Sequence, residues 1–216
     1  MKFSHIFYLL FTVLFSNVAL GQIIRIPDQN GKAVATKSYD NIKGSAFLTK
    51  DWTTGTVTLA DGTTYQDVQL KYDQVEDKIR FKRNDKELEF TVPVKQFSIS
   101  GNQKAHVFTS GFPAVNTNSA ASFYEVLVDG QVKLLKRTKK VVIETKGYNE
   151  FLEKRFDSNV EYFILDQNKI YEIKPSKKGV SQAVADQGLK AGELLKTQPV
   201  KNEADLTALI QKLNAG

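Results

Sequence analysis

From about residue 54 to 173 a period of two dominates the apolar residues of this chain, and any fold must satisfy that period. Val57 and Leu59 alternate with polar neighbours. So do Val68, Leu70 and Tyr72, then Ile79 and Phe81, then Leu88, Phe90 and Val92, then Phe97 and Ile99. A period of two buries one face of a strand and leaves the other to solvent, which no helix can do. Turn residues punctuate the runs at Asp61-Gly62, Asn84-Asp85, Ser100-Gly101-Asn102, Asp129-Gly130, Asp157-Ser158-Asn159 and Gln167-Asn168. The pattern predicts a mainly β protein, built of antiparallel hairpins in a meander that forms a sandwich or an open barrel.

One hairpin can be checked internally. With Asn84-Asp85 as a two-residue loop, Arg83 faces Lys86, Lys82 faces Glu87, Phe81 faces Leu88, Arg80 faces Glu89 and Ile79 faces Phe90. Apolar pairs then share one face and opposite charges the other, and a slip of one residue destroys both matches. Gln167-Asn168 works the same way, pairing Leu165 with Ile170 and Ile164 with Tyr171. A strict two-residue loop at Asp61-Gly62 misaligns its flanks, so a bulge or longer turn is expected there. Pro93 marks a break or an edge.

The expected organisation follows. Residues 22–110 form an N-terminal β lobe, 111–121 a loop or link, and 122–175 a C-terminal β lobe. Residues 176–216 form a helical tail packed on the β body, and a single domain over 22–216 stays open. The tail takes a helical period: Asn202 is an N-cap, and Leu206, Leu209, Ile210 and Leu213 fall on one stripe. Residues 179–197 read as one or two shorter helices interrupted near Gly188.

The N-terminus has the parts of a cleavable secretory signal. Lys2 supplies positive charge, residues 6–15 are apolar except for Thr12, and Ala19 and Gly21 fit a cut before Gln22. The run is about half the roughly 20 apolar residues a membrane-crossing helix needs. Residues 1–21 therefore read as a signal peptide, the product as periplasmic or secreted, with no transmembrane segment after cleavage. The chain contains no cysteine, which excludes a lipid-anchoring cysteine, disulfides, zinc–thiolate sites and thiol nucleophiles. It carries 30 basic and 24 acidic residues; without Lys2 the balance is 29 to 24, a net +5. That mild basicity favours an anionic envelope component, or another envelope protein, as partner and disfavours nucleic acid.

Chemistry-bearing residues are sparse. After the signal one histidine remains, His106, on a short β-like run over 105–109. Ser110 is near in sequence, but no nucleophile-elbow motif surrounds any serine, so a strand histidine is the expectation. The acidic stretch Asp73-Gln74-Val75-Glu76-Asp77 lacks the spacing of a calcium loop and reads as a solvated turn. Glu87 and Glu89 share a strand face, but the hairpin register already gives both a basic partner. No glycine loop for phosphates is present. No catalytic residue, cofactor or metal ligand is assigned. The one candidate site is a basic run, Lys133, Lys136, Arg137, Lys139 and Lys140. It is either an anion-binding edge or a strand edge protected by lysines.

Several segments, Gly44-Ser45-Ala46-Phe47-Leu48, Gly55-Thr56-Val57-Thr58-Leu59-Ala60-Asp61-Gly62 and Phe123-Tyr124-Glu125-Val126-Leu127-Val128-Asp129-Gly130 running on to Leu135-Lys136-Arg137, with the tail around Glu203-Ala204-Asp205-Leu206, resemble a group of uncharacterised exported proteins of Bacteroidetes-type Gram-negative bacteria. The resemblance implies an envelope or secreted location and a β-rich body, and brings no activity with it. The expected function is a non-enzymatic binding or structural role outside the cytoplasm. The alternatives are a carboxylate-based hydrolase of glycan or another acidic envelope polymer, and a carrier of lipid or a small ligand.

Overall fold

A computed structural model describes residues 31–33, 39–100, 105–146, 152–185 and 192–215. The segment read as a signal peptide and the break near Gly188 lie outside the described residues. Twelve strands and three helices follow in order. The first six strands are β1 (Gly31–Ala33), β2 (Ile42–Lys43), β3 (Thr53–Leu59), β4 (Thr64–Asp73), β5 (Lys78–Arg83) and β6 (Lys86–Phe90). Then come β7 (Val94–Ile99), β8 (His106–Thr109), β9 (Tyr124–Val128), β10 (Val132–Lys146), β11 (Leu152–Asp166) and β12 (Lys169–Ile173). The helices are α1 (Lys177–Ala185), α2 (Gly192–Thr197) and α3 (Glu203–Ala215).

All twelve strands belong to one sheet, ordered β1-β6-β5-β4-β3-β7-β8-β9-β10-β11-β12, with β2 beside β11. Every pairing is antiparallel except β2 with β11, and the sheet does not close on itself. The two checked hairpins form in the expected registers, Phe81 opposite Leu88 and Leu165 opposite Ile170. Their loop residues carry the left-handed backbone such tight turns require, with φ of 47° and 58° at Asn84 and Asp85 and 44° and 65° at Gln167 and Asn168. At Asp61-Gly62 the turn is longer: the Leu59 amide donates to the Thr63 carbonyl, Gly62 has φ of 89°, and a register shift follows between Gly55 and Val57. Gly55 itself cannot be replaced freely, because a Cβ there would sit 2.0 Å from the Ser98 carbonyl oxygen on β7. Pro93 falls in the connection between β6 and β7, where its missing N–H costs no ladder bond.

One expected turn is absent. Asp157, Ser158 and Asn159 lie inside β11, opposite Val141, Lys140 and Lys139. Their polarity reflects solvent on the strand, not a reversal of the chain.

Residues 110–123 form the expected loop, yet β8 pairs with β9 across it, so hydrogen bonding runs through without a break. The packing does divide near there. Val57, Leu70, Tyr72, Phe81, Phe97 and Phe108 share one core with their neighbours on β3–β8. Beyond the loop the helices cover one face of β9–β12, where Leu134 and Ile164 meet Val180, Leu206, Leu209 and Ile210. Tyr124, Leu135, Phe163 and Leu165 point the other way and pack on Phe112 and Val115. The alternation of Leu134 with Leu135, and of Ile164 with its two neighbours, thus serves two cores through one layer of strands.

The tail forms as its sequence dictates. The Asn202 side chain accepts from the Asp205 amide at 2.9 Å, capping α3, whose Leu206, Leu209 and Ile210 are buried. Near its last turn Asn214 accepts from the Val132 amide and donates to the Val132 carbonyl, both at 2.8 Å. A side chain on Gly130 would collide with that amide group.

Candidate functional site

The acidic stretch 73–77 does join two strands, but it is not a solvated turn. The segment at 46–48 lies across it: the Gln74 amide donates to the Ala46 carbonyl and the Leu48 amide to the Tyr72 carbonyl, both at 2.9 Å. Asp73 has no exposed surface, and Arg80 on β5 is 1% exposed. The Arg80 guanidinium donates to Asp73 at 3.0 Å, Glu76 at 3.1 Å and Glu87 at 2.6 Å, and lies 5.5 Å from the Phe47 ring. The other Asp73 oxygen accepts from the Val75 and Glu76 amides, and the Tyr39 hydroxyl donates to Asp73 at 2.8 Å. Burial first, then the bond to Asp73, pushes the Tyr39 phenol well above its ordinary range. A carboxylate so fully bonded has a structural part in the turn.

This burial also corrects the expected ion pairs. The charged face of the hairpin is covered at Arg80, and its pairs are diagonal: Arg80 reaches Glu87, while Glu89 meets Lys78 at 3.3 Å and Lys32 at 3.6 Å. Register fixes which backbones face each other, but strand twist and long side chains decide which charges meet.

A second network runs through Asp77, at the end of the same turn. It accepts from the Tyr72 hydroxyl at 2.5 Å and from Arg137 on β10 at 2.6 Å. The bridge fastens the β4–β5 turn to the far half of the sheet. Burial and Asp77 together raise the Tyr72 pKa.

The third network contains His106. Its Nδ1 lies 2.6 Å from the Glu125 carboxylate on β9. Lys136 on β10 meets the same carboxylate at 3.6 Å and Glu203 at the start of α3 at 2.8 Å; the Tyr162 hydroxyl donates to Glu203 at 3.1 Å. Burial alone would lower the Lys136 pKa, but Glu203 and Glu125 outweigh it and raise it. The chain from His106 to Tyr162 therefore spans four strands and ties α3 to the sheet. Ser110 is remote from it, donating instead to the Val94 and Lys95 carbonyls.

The basic run is dispersed by its own strand. Lys133, Arg137 and Lys139 point to one side of β10, Lys136 and Lys140 to the other. Lys133 pairs with Asp129, Lys136 with Glu203 and Glu125, and Arg137 with Asp77. The Lys140 ammonium donates to the Phe47 and Ser45 carbonyls at 2.7 and 3.0 Å, and burial lowers its pKa. Among the described residues Lys139 alone of the five is exposed without a partner. From Leu134 to Lys136 the strand lies between β9 and β11 and is no edge.

What the fold does leave open is backbone and apolar surface. The β10–β11 ribbon is 15 residues long on each strand, about 50 Å when extended, and β9 flanks only its first part. Val142, Val160 and Leu152 share a face of it with Phe156, and Leu152 is 70% exposed. At the end of the sheet, β12 and α1 enclose a cleft of about 680 Å³. Among the described residues no group of three His, Cys, Asp or Glu side chains is disposed to hold a metal ion, and no helix is long and apolar enough to cross a membrane. Comparison with protein-family profiles, curated proteins and solved structures finds no match to this chain.

Proposed function

We propose that this chain is an exported protein with a binding or structural role at the cell envelope, of the kind its resemblance to exported Bacteroidetes-type proteins implies. The observation that carries the reading is the β10–β11 ribbon. Its exposed Val142, Val160 and Leu152 lie along one face of a long strand pair, with Val141 on the opposite side. Apolar side chains gathered on an exposed ribbon mark a contact surface. The ion networks described above spend the conspicuous charged groups on fastening strands and helix together, which suits a rigid platform. The export half of the reading is tested by N-terminal mass spectrometry, with Gln22 as the expected first residue; a chain found intact in the cytoplasm overturns it. The ribbon half is tested by combining Val142→Thr, Leu152→Thr and Val160→Thr, which keep strand propensity and remove apolar surface. The expected outcome is lost retention on envelope fractions with unchanged melting; full retention overturns it.

A further inference from the structure

β12 ends the sheet. It pairs with β11 on one side, and among the described residues no strand lies on the other. The two-residue loop at Gln167-Asn168 makes Asp166 and Lys169 the closing hydrogen-bonded pair, so Tyr171 and Ile173 also bond inward. Ile170 and Glu172 therefore turn their N–H and C=O groups outward, into the cleft between β12 and α1. The cleft has an apolar lining from Val115, Ile170 and Ala183 and a polar rim from Lys174, Lys178 and Gln182. Its charge is one-sided. Lys174 and Lys178 have no partner among the described residues, whereas the Glu172 carboxylate is held by the Asn116 amide at 2.6 Å. No acidic residue sits in the first turn of α1 to offset them.

We propose that this edge takes up an acidic, extended peptide segment as a further strand of the sheet. The main chain of the peptide bonds to Ile170 and Glu172, alternate apolar side chains enter the cleft, and a carboxylate lies beside Lys174 and Lys178. The inference deepens the binding role proposed above but uses the outer edge of β12 and none of Val142, Leu152 and Val160, so either can fail alone.

The test uses the purified protein and two fluorescein-labelled hexapeptides, one alternating glutamate with valine and one alternating lysine with valine. The acidic peptide is expected to bind and to weaken with added salt, and the basic one not to bind. Hydrogen exchange at the Ile170 and Glu172 amides should slow on binding. Combining Lys174→Gln with Lys178→Gln should weaken binding about tenfold or more. Glu172→Pro removes an outward N–H and the exposed carboxylate bonded to Asn116 but leaves the β11 ladder whole, so it should abolish binding while the protein still melts cooperatively. Equal binding of the two peptides, no binding of the acidic one, or unchanged exchange at both amides in the wild-type complex overturns the proposal. Concentration-dependent protection of the same amides without peptide also overturns it, in favour of self-association.

Discussion

Replacing Arg80 with methionine is the sharpest perturbation of this fold. Methionine keeps most of the length and apolar stem but withdraws the cation bonded to Asp73, Glu76 and Glu87 together. Asp73 is fully enclosed, so water cannot take the place of the guanidinium without prising residues 46–48 off the turn. Removing one partner of a buried pair costs about 3–5 kcal/mol. For a chain of this size that corresponds to a fall in melting temperature of about 10 °C or more. Adding Asp73→Asn removes one orphaned charge, so the double variant should recover about 1–3 kcal/mol relative to the sum of the singles. Urea denaturation of the four proteins measures all of this. A methionine variant melting within about 2 °C of wild type would refute the assignment of Arg80 as the clasp of this turn.

Three further outcomes are expected. Phe81→Ala should cost about 3–5 kcal/mol because the ring is 1% exposed, and Lys82→Ala well under about 1 kcal/mol because its pair with Asp85 lies in solvent; chemical denaturation compares them. Gly55→Ala should destabilise by about 1–3 kcal/mol, since β3 and β7 must part to admit a methyl group, and a neutral result would show the strands can yield. Stability should hold to about pH 10 and then fall, because the phenols of Tyr39 and Tyr72 keep their protons in the fold after the unfolded chain has released its own; Tyr72→Phe should flatten the fall.

Local rules made much of this fold legible. Parity and turn chemistry placed Phe81 against Leu88 and Leu165 against Ile170, because a two-residue loop leaves one register that buries every apolar side chain. The period of α3 and its Asn202 cap are equally local. What escaped the sequence was set by distant segments. Nothing within 73–80 announces that residues 46–48 will cover it, so an acidic turn read as solvated is buried. The basic run looked like one patch because its residues are close in sequence, whereas strand geometry sends them to opposite faces and to partners as remote as Asp77 and Glu203. His106 carried no local sign of Glu125 beside it; that contact exists because β8 pairs with β9 across a loop. Replacing Lys136, Arg137, Lys139 and Lys140 together would therefore loosen the fold as well as remove charge.

The Asn214 amide, bonded to both backbone groups of Val132, has a consequence for the order in which the molecule can be completed. The two residues are 82 positions apart, and the same strand also waits for Glu203 to meet Lys136 and for Leu206, Leu209 and Ile210 to cover Leu134. A chain delivered from its N-terminus can assemble the β3–β8 core early, but the layer from β9 to β12 keeps part of its apolar face bare until α3 arrives, even with Val180 and Leu195 already in place. The last turn of α3 thus acts as a fastener that arrives after every strand it holds. A truncation of a few residues there should release the helix and expose the face beneath it.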